Sequence, residues 1–256
     1  MLGLVFEGCA NRAAFGCGVA AELVGAGLDL GVVAGASSGS IVAAGLAAGL
    51  GAELPRWWRG VAGRSIVSWR QAWRNRSPFA MSTLVGDAVR AALGDGDLRR
   101  APVEALCTVT RLSGFRTEVR SSRTEVDFVP AVLGSCFVPV LYGRVVRLDG
   151  RVVIDGGATD NLPIAAAVAR GARTIIAVVP AADGTARPRV FGPRRHPTQL
   201  APPGVRVVTV HPPAPLAIRP WTLDGAAIDA AVAAGRVAAV RALRQLERAP
   251  GQAPSS

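Results

Sequence analysis

Short apolar runs and longer apolar segments alternate along this chain in a way that predicts an α/β fold. Leu2–Phe6 and Val32–Ala34 read as buried strands, and helix-like segments follow them at Ala14–Gly25 and Ile41–Leu50. Alternation of this kind is typical of a doubly wound sheet, whose functional groups gather at the carboxyl ends of parallel strands. We therefore predict a single three-layer α/β domain with a central, mostly parallel (mixed) sheet flanked by helices.

The rest of the chain continues the same pattern. Further strands are predicted over Ala105–Thr110, Thr117–Ser121, Thr174–Val179 and Val205–Val210, and further helices over Ser82–Leu93, Pro163–Arg170 and Leu223–Arg248. Asp149-Gly150 separates Arg144–Leu148 from Arg151–Ile154 and favours a hairpin. Pro180–Pro203 is expected to form a long loop, either a lid or a mobile segment. One domain is expected over residues 1–248, with a disordered tail at 249–256.

A serine lies in a tight turn of small residues directly after the second predicted strand. The turn reads Gly35-Ala36-Ser37-Ser38-Gly39 and separates that strand from the next helix. A strand, a tight turn and a helix in this order lift a serine hydroxyl above the end of a sheet, and the glycines permit close approach of the helix. The turn therefore predicts a nucleophile at Ser37.

Two further segments are expected at the same end of the sheet. Asp155 follows the predicted strand Arg151–Ile154 and precedes Gly156-Gly157, so it supplies a carboxylate. The loop Gly8-Cys9-Ala10-Asn11-Arg12-Ala13 joins the first strand to the first helix, where backbone N–H groups and the helix dipole favour an anion. Acyl transfer needs a nucleophile, a base and backbone donors for an oxyanion, so these segments predict a serine hydrolase.

Several stretches of the chain resemble the patatin-like phospholipase family. They are Phe6-Glu7-Gly8 through Gly18-Val19, the turn Gly35–Gly39, Ser135-Cys136-Phe137-Val138-Pro139, and Val153-Ile154-Asp155-Gly156-Gly157-Ala158-Thr159-Asp160-Asn161-Leu162-Pro163. The resemblance covers the chain from the first strand to at least the helix after Asp155. It implies a patatin-like fold and a lipid ester as the substrate.

The resemblance also implies roles for individual residues. Ser37 is expected to attack the ester carbonyl and Asp155 to take its proton, through an acyl-enzyme and without a histidine. The loop Gly8–Ala13 corresponds to the family's oxyanion loop, with Arg12 at its basic position. Gly156-Gly157 let the backbone turn beside the nucleophile.

The oxyanion loop departs from the family pattern of three glycines, a variable residue, a basic residue and a glycine. Cys9, Ala10 and Ala13 stand in place of three of those four glycines. A side chain at a positive φ costs about 1–2 kcal/mol, and a missing oxyanion donor costs about two to three orders of magnitude in rate. A non-catalytic lipid- or membrane-binding relative is therefore an alternative to a hydrolase.

A Ser-His-Asp triad is a lesser alternative. Ser37, Asp155 and His211 occur in the chain order of α/β-hydrolases, and His211 follows the predicted strand Val205–Val210. However, the serine turn follows only the second strand, which is early for that fold.

Composition adds a positive charge and a distinctive aromatic segment. All 29 basic residues are arginine, against 18 acidic residues, and the net charge is +11. Arg56–Arg76 contains Trp57, Trp58, Trp69 and Trp73 interleaved with arginines. This segment favours either peripheral contact with an anionic membrane or a cap whose tryptophans pack inward. An Arg-rich nucleic-acid binder is the remaining alternative, but nucleic acid is not expected because no zinc-finger spacing or RNA-recognition motif is present.

Neither a metal nor an organic cofactor is expected. The four cysteines have no metal-ligand spacing, and the predicted chemistry requires no cofactor. Leu30–Ala52 is uncharged and long enough to mimic a transmembrane helix, but its glycines and serines favour a strand, a turn and a helix. The N-terminus lacks the pattern of a signal peptide, so we expect a cytoplasmic protein with peripheral membrane contact.

Overall fold

The computed structural model describes residues 1–63, 81–139, 145–221 and 223–247. These ranges contain one eight-stranded sheet in the order β5-β6-β3-β2-β1-β7-β8, with β4 paired to β3. The strands are β1 (Leu2–Phe6), β2 (Val32–Ala36), β3 (Glu104–Arg111), β4 (Arg116–Ser121), β5 (Val146–Leu148), β6 (Arg151–Asp155), β7 (Thr174–Val178) and β8 (Arg206–Val210). The predicted tail at 249–256 and residues 64–76 of the tryptophan-rich segment lie outside the described residues.

The α-helices of the described ranges connect these strands. They are α1 (Ala13–Gly25), α2 (Ser38–Ala47), α3 (Leu54–Arg59), α4 (Met81–Leu93), α5 (Val129–Ser135), α6 (Ile164–Ala169) and α7 (Gly225–Glu247). No helix in the described part of the chain is both long enough and apolar enough to cross a membrane.

The sheet is mixed and mostly parallel. The five strands β3, β2, β1, β7 and β8 run parallel to one another, whereas β4 and β6 pair antiparallel with β3, and β5 pairs antiparallel with β6. The predicted fold class is therefore confirmed. The hairpin at Asp149-Gly150 is also observed, with φ of 48° and 74° at these two residues, as a two-residue turn with two positive φ values requires.

Both faces of the sheet are covered by apolar side chains. Along β1, Leu4 and Phe6 belong to one hydrophobic cluster and Val5 to another on the opposite face, as the two-residue period of a strand dictates. Burial on both faces explains why the strands read as continuous apolar runs. Helix α2 is buried along its whole length, which explains why its segment is apolar on all sides.

Candidate active site

Ser37 lies at the junction of β2 and α2 in a strained backbone conformation. Its φ is 51° and its ψ is −131°, a region that residues with a Cβ rarely adopt. The surrounding hydrogen bonds hold it there, since the Ser37 N–H donates to Ser135 Oγ at 2.9 Å and Ser40 Oγ donates to the Ser37 carbonyl at 2.6 Å. Strain of this kind turns the side chain out of the strand and leaves it only partly buried.

The two glycines of the turn allow α2 to pass close to the strands. A Cβ at Gly35 would overlap the backbone carbonyl of Gly39, and a Cβ at Gly39 would lie 2.6 Å from the carbonyl oxygen of Phe6. Both approaches are to backbone atoms, which cannot move aside as a flexible side chain can. The glycines are therefore required by close packing of the helix.

Strand β3 brings Ser37 and Asp155 together. Ala36, the residue before the serine, pairs with Thr108 of β3, and Asp155 pairs with the next residue, Val109. β2 and β6 therefore deliver the two side chains to neighbouring positions along one strand. These positions are 118 residues apart in sequence, so only the sheet pairing makes them neighbours.

The Ser37 side chain lies near enough to the Asp155 carboxylate to lower its pKa as a hydrogen-bond donor. Its Oδ1 also accepts the Gly157 N–H at 2.7 Å. Burial raises the pKa of Asp155 from 3.8 to about 6, although the Ser37 and Gly157 hydrogen bonds act in the opposite direction. A Cβ at Gly156 would overlap the Thr108 carbonyl, so a glycine is needed where the chain turns after the carboxylate. A buried carboxylate with a raised pKa, bonded to a hydroxyl, has the properties of a general base.

The end of α5 and the residues that follow it hold the backbone of both Ser37 and Asp155. Ser135 Oγ accepts the Ser37 N–H, and the Phe137 carbonyl accepts the Asp155 N–H at 2.7 Å. In the sequence, this segment stands out only as one of the stretches that resemble the family. The tertiary structure shows that it also holds the backbone of the serine turn.

Most N–H groups of the loop Gly8–Ala13 are already engaged. Their acceptors are Asn161 O for Gly8, Ser38 Oγ for Cys9, Pro220 O for Asn11, Cys9 O for Arg12, and Ala10 O and Asn11 O for Ala13. Among the described residues, the Ala10 N–H donates to no acceptor. Ala10 therefore carries the one N–H of this loop without a protein acceptor in the described part of the chain, and the expectation that the loop binds an oxyanion stays a prediction.

Gly8 holds this loop against the nucleophile. A Cβ on Gly8 would lie 3.0 Å from Ser37 Cβ and 2.9 Å from the Ala36 carbonyl oxygen, and it would overlap Asn161 Oδ1. Asn161 binds Gly8 on both sides, because its Nδ2 donates to the Gly8 carbonyl at 3.0 Å and its own carbonyl accepts the Gly8 N–H at 3.0 Å. Asn161 thus joins the loop to the Asp155 segment. In the sequence, Asn161 stands out only as part of the family-like stretch that follows Asp155.

Ala10 has a φ of 53°, whereas Cys9 has a φ of −153°. Ala13 has a φ of −61°, so only Ala10 of the three departures from glycine is strained. We expect Ala10→Gly to raise the free energy of unfolding by about 0.5–1 kcal/mol, because relief of about 1–2 kcal/mol of strain exceeds the 0.4–1 kcal/mol lost to unfolded-state entropy. Urea unfolding measures the change. Cys9→Gly is the matched control and is expected to destabilise the protein; a loss of stability in both variants would contradict the strain at Ala10.

Glu7 is a buried carboxylate that the sequence analysis did not single out. Its Oε1 accepts the Arg187 N–H at 2.7 Å and Asn161 Nδ2 at 3.4 Å. Burial raises the pKa of Glu7 from 4.5 to about 7, although the Arg187 N–H and the charges of Arg194 and Arg12 act in the opposite direction. Glu7 therefore links the oxyanion loop, the Asp155 segment and the long loop that follows β7.

We expect Glu7→Gln to remove a pH-dependent contribution to stability. Because the folded-state pKa of Glu7 is raised, its contribution is fully present below pH 4.5 and is lost as the pH rises through about 7. Glutamine keeps the Oε1 acceptor but carries no charge. Relative to the wild type, the variant should therefore gain about 2 kcal/mol between pH 5 and pH 8. Urea unfolding at both pH values tests this, with the exposed Glu53→Gln as control; an equal change in the two variants would contradict the assignment.

The structure does not bring His211 to Ser37 and Asp155. His211 follows β8, which is separated from β2 by β1 and β7, or about 14 Å at the usual strand spacing. Its side chain is exposed and its Nδ1 lies 3.1 Å from the Pro212 carbonyl oxygen. In the described part of the chain, the structure thus places Asp155, and not His211, beside Ser37.

In the described part of the tryptophan-rich segment, one residue packs inward, as the hypothesis of a cap predicts. Trp58 is buried and its Nε1 donates to Asn11 Oδ1 at 2.7 Å, behind the oxyanion loop. Trp57 is partly buried and lies against Trp58, with ring centroids 5.7 Å apart. Trp69 and Trp73 lie outside the described residues, so the proposed membrane contact of Arg56–Arg76 stays a prediction.

Comparisons with known proteins show which family and which fold this chain is similar to. The family model described as Patatin-like phospholipase matches residues 4–168. Lysophospholipase NTE1 of Mycosarcoma maydis is 29% identical over 196 residues, which cover 75% of this chain and 10% of that protein. The protein of the same name from Coccidioides immitis is 30% identical over 198 residues, covering 75% of this chain and 12% of that protein. The chain thus spans about a tenth of the length of the curated relatives it matches.

A solved structure shares the fold. VipD from Legionella pneumophila superposes with a TM-score of 0.53 and 14% sequence identity, over 95% of this chain and 66% of that chain. At this identity the similarity concerns the fold alone.

Proposed function

The chain belongs to the patatin-like phospholipase family, and on that premise we propose that it hydrolyses a carboxylic ester of a lipid, with Ser37 as nucleophile and Asp155 as general base. One observation carries the proposal: the side chain of Ser37, held in a strained turn, lies beside the partly buried carboxylate of Asp155, whose pKa is raised to about 6. A serine hydroxyl is a weak nucleophile unless an adjacent base can take its proton.

The proposed reaction has two halves. Asp155 takes the proton of Ser37 as the oxygen attacks the ester carbonyl, and the leaving alcohol receives that proton when the carbon–oxygen bond breaks. Water then attacks the acyl-enzyme, with Asp155 again as base, and releases the fatty acid and free Ser37. The hydrogen bond from Gly157 keeps the carboxylate oriented through both halves.

The oxyanion formed in each half needs preorganised donors. We assign the Ala10 N–H to this role, because the other N–H groups of its loop have protein acceptors. Ser38 is a second donor, since it is the first residue of α2 and the first N–H groups of a helix have no intrahelical acceptor. The positive end of the α2 dipole adds to this stabilisation.

The relatives suggest the substrate to test first. Two curated relatives are named lysophospholipase, so a lysophospholipid is the natural first lipid and a short p-nitrophenyl ester the natural soluble probe. The substitution of glycine by Ala10 raises the alternative of a non-catalytic lipid-binding relative. Ala10 nonetheless adopts a positive φ and keeps its N–H available, which favours the hydrolase.

The raised pKa of Asp155 predicts the pH dependence of the activity. Only the carboxylate can act as a base, so kcat/KM for a p-nitrophenyl ester should rise with pH, reach half its maximum near the Asp155 pKa of about 6 and level off above it. Glu7→Gln should keep this profile, which separates the titration of Asp155 from that of Glu7. A rate that does not change between pH 4.5 and pH 8 would contradict the assignment of the base, and no turnover of either substrate at any pH would overturn the proposed function.

A further inference from the structure

A loop beside the candidate active site combines positive charge with one exposed aromatic side chain. We propose that this segment, Ala186–Arg195 (the arginine loop), docks on the headgroup surface of an anionic lipid bilayer. Docking itself follows from the charge and the exposed apolar side chains of the loop. The further statement, that a docked protein presents a lipid ester to Ser37, rests on the proposed function.

The arginine loop has pinned ends. The Ala186 N–H donates to the Arg195 carbonyl at 2.9 Å, and the Arg195 N–H donates to the Ala186 carbonyl at 2.8 Å. These two reciprocal bonds form an antiparallel bridge that closes the loop. The bridge fixes how the two ends of the loop lie against each other. The expectation of a lid or a mobile segment over Pro180–Pro203 stays a prediction.

The loop is attached to the residues of the candidate active site. The Arg187 N–H donates to Glu7 Oε1 at 2.7 Å. The Asn161 N–H donates to the Pro188 carbonyl at 2.7 Å, and the Val190 N–H donates to the Gly157 carbonyl at 2.8 Å. Gly157 also donates its N–H to Asp155. The backbone of Gly157 therefore connects the loop to the proposed base. A membrane surface that binds this loop is therefore expected to lie close to the active site.

Phe191 projects from the loop into solvent. Its side chain is 92% exposed, and every other exposed large apolar residue in the described part of the chain is at most 65% exposed. The neighbouring Val190 is 40% exposed. Isolated exposed apolar residues need no explanation, but this phenylalanine lies in the middle of a loop whose ends are bonded to each other and which carries four exposed arginines.

The cationic residues of the loop are Arg187, Arg189, Arg194 and Arg195, and no acidic residue occurs between Ala186 and Pro197. Arg189 and Arg195 line an open cleft of about 290 Å³ together with Pro188, Gly192 and Pro193. An apolar tip flanked by arginines matches the layered structure of an anionic bilayer, with phosphate oxygens outside and acyl chains beneath.

A second exposed aromatic residue borders the same site. Trp221 is 54% exposed, and the carbonyl of the preceding Pro220 accepts the Asn11 N–H of the oxyanion loop at 3.0 Å. Phe191 and Trp221 thus lie on two different loops. The loop with Phe191 is bonded to Gly157, and the loop with Trp221 is bonded to Asn11. Tryptophan is well suited to the headgroup level, because one end of its ring system is apolar and the other carries a polar N–H.

Vesicle flotation tests the proposal without using turnover. The full chain is mixed with vesicles of phosphatidylcholine alone or with about a third of phosphatidylserine, at low and high salt. We expect binding to the anionic vesicles that weakens as salt screens the charges. Arg189→Gln with Arg195→Gln should reduce the partition coefficient about 25-fold, at about fivefold for each arginine, and Phe191→Ser should reduce it about tenfold.

Matched controls stand at the opposite end of the sheet. Arg100→Gln with Arg173→Gln removes the same charge near the amino ends of β3 and β7, and Val126→Ser removes a side chain that is 65% exposed. These controls should bind as the wild type does, and circular dichroism should show that all variants are folded.

Three outcomes would overturn the proposal. They are equal losses in the loop and control variants, equal binding to neutral and anionic vesicles, and no vesicle binding together with an Arg189- and Arg195-dependent gel shift of an oligonucleotide. Because flotation measures binding alone, any of these results leaves the ester hydrolysis of Ser37 to be judged separately. Conversely, a protein that hydrolyses no ester can still bind vesicles through this loop.

Discussion

Ser37→Ala is expected to lower kcat for a soluble p-nitrophenyl ester by at least about 10⁴-fold, because no other group in the described site replaces the hydroxyl as nucleophile. The loss should appear in kcat, since alanine leaves the binding surface intact. Steady-state kinetics and a burst assay measure it: the wild type should release a stoichiometric burst of p-nitrophenol if deacylation is slow, and the variant should release none.

Ser122→Ala is the matched control for this substitution. Ser122 is a buried serine whose Oγ accepts the Ala105 N–H at the start of β3, far from the site. We expect its kcat to stay within about twofold of the wild type, as for a substitution that touches no catalytic group. Turnover by Ser37→Ala comparable with that of Ser122→Ala would remove Ser37 from the mechanism.

Asp155→Asn is expected to lower kcat by about 10²–10⁴-fold, the range for loss of a general base. Asparagine has nearly the same shape, and its Oδ1 can still accept the Gly157 N–H. It cannot take the proton of Ser37. The residual rate should also lose the inflection near pH 6 that the wild type shows, and a pH–rate profile measures both effects.

Asp160→Asn separates this effect from the loss of any buried carboxylate nearby. Burial also raises the pKa of Asp160 from 3.8 to about 6, yet this carboxyl is not bonded to Ser37. Its variant should therefore keep the inflection. In addition, Ser37→Ala with Asp155→Asn should be no slower than Ser37→Ala alone, because residues that act as a unit are not additive. A further large drop in the double variant would show that Asp155 acts independently of Ser37.

Features that act between neighbours in sequence, such as apolar runs and turn residues, predicted much of the fold. β1 has the predicted bounds, and the Asp149-Gly150 turn lies where the pattern placed it. The helix after Ser37 begins at Ser38 rather than at the predicted Ile41, because small residues conceal a helix start from a periodicity based on apolar side chains. The candidate pair Ser37 and Asp155 came from turn chemistry and family resemblance.

The details of the candidate site depend on partners that are distant in sequence. Which N–H of the oxyanion loop stays available was not predictable, since the acceptors Asn161, Ser38 and Pro220 come from three different parts of the chain. The burial of Glu7 was not predictable for the same reason. A charged residue after a strand is expected to be solvated, and only the tertiary structure shows that another loop covers it.

The order of apolar runs, glycines and turn residues was thus sufficient to specify an α/β sheet with a serine in a tight turn, because those features act through neighbours in sequence. Only the tertiary structure decided that β3 places Asp155 beside Ser37, that Ala10 takes a positive φ, and that the arginine loop is fixed to Gly157. Each of these depends on hydrogen bonds and packing between segments far apart in the chain, which form together when the chain folds and leave no local signature.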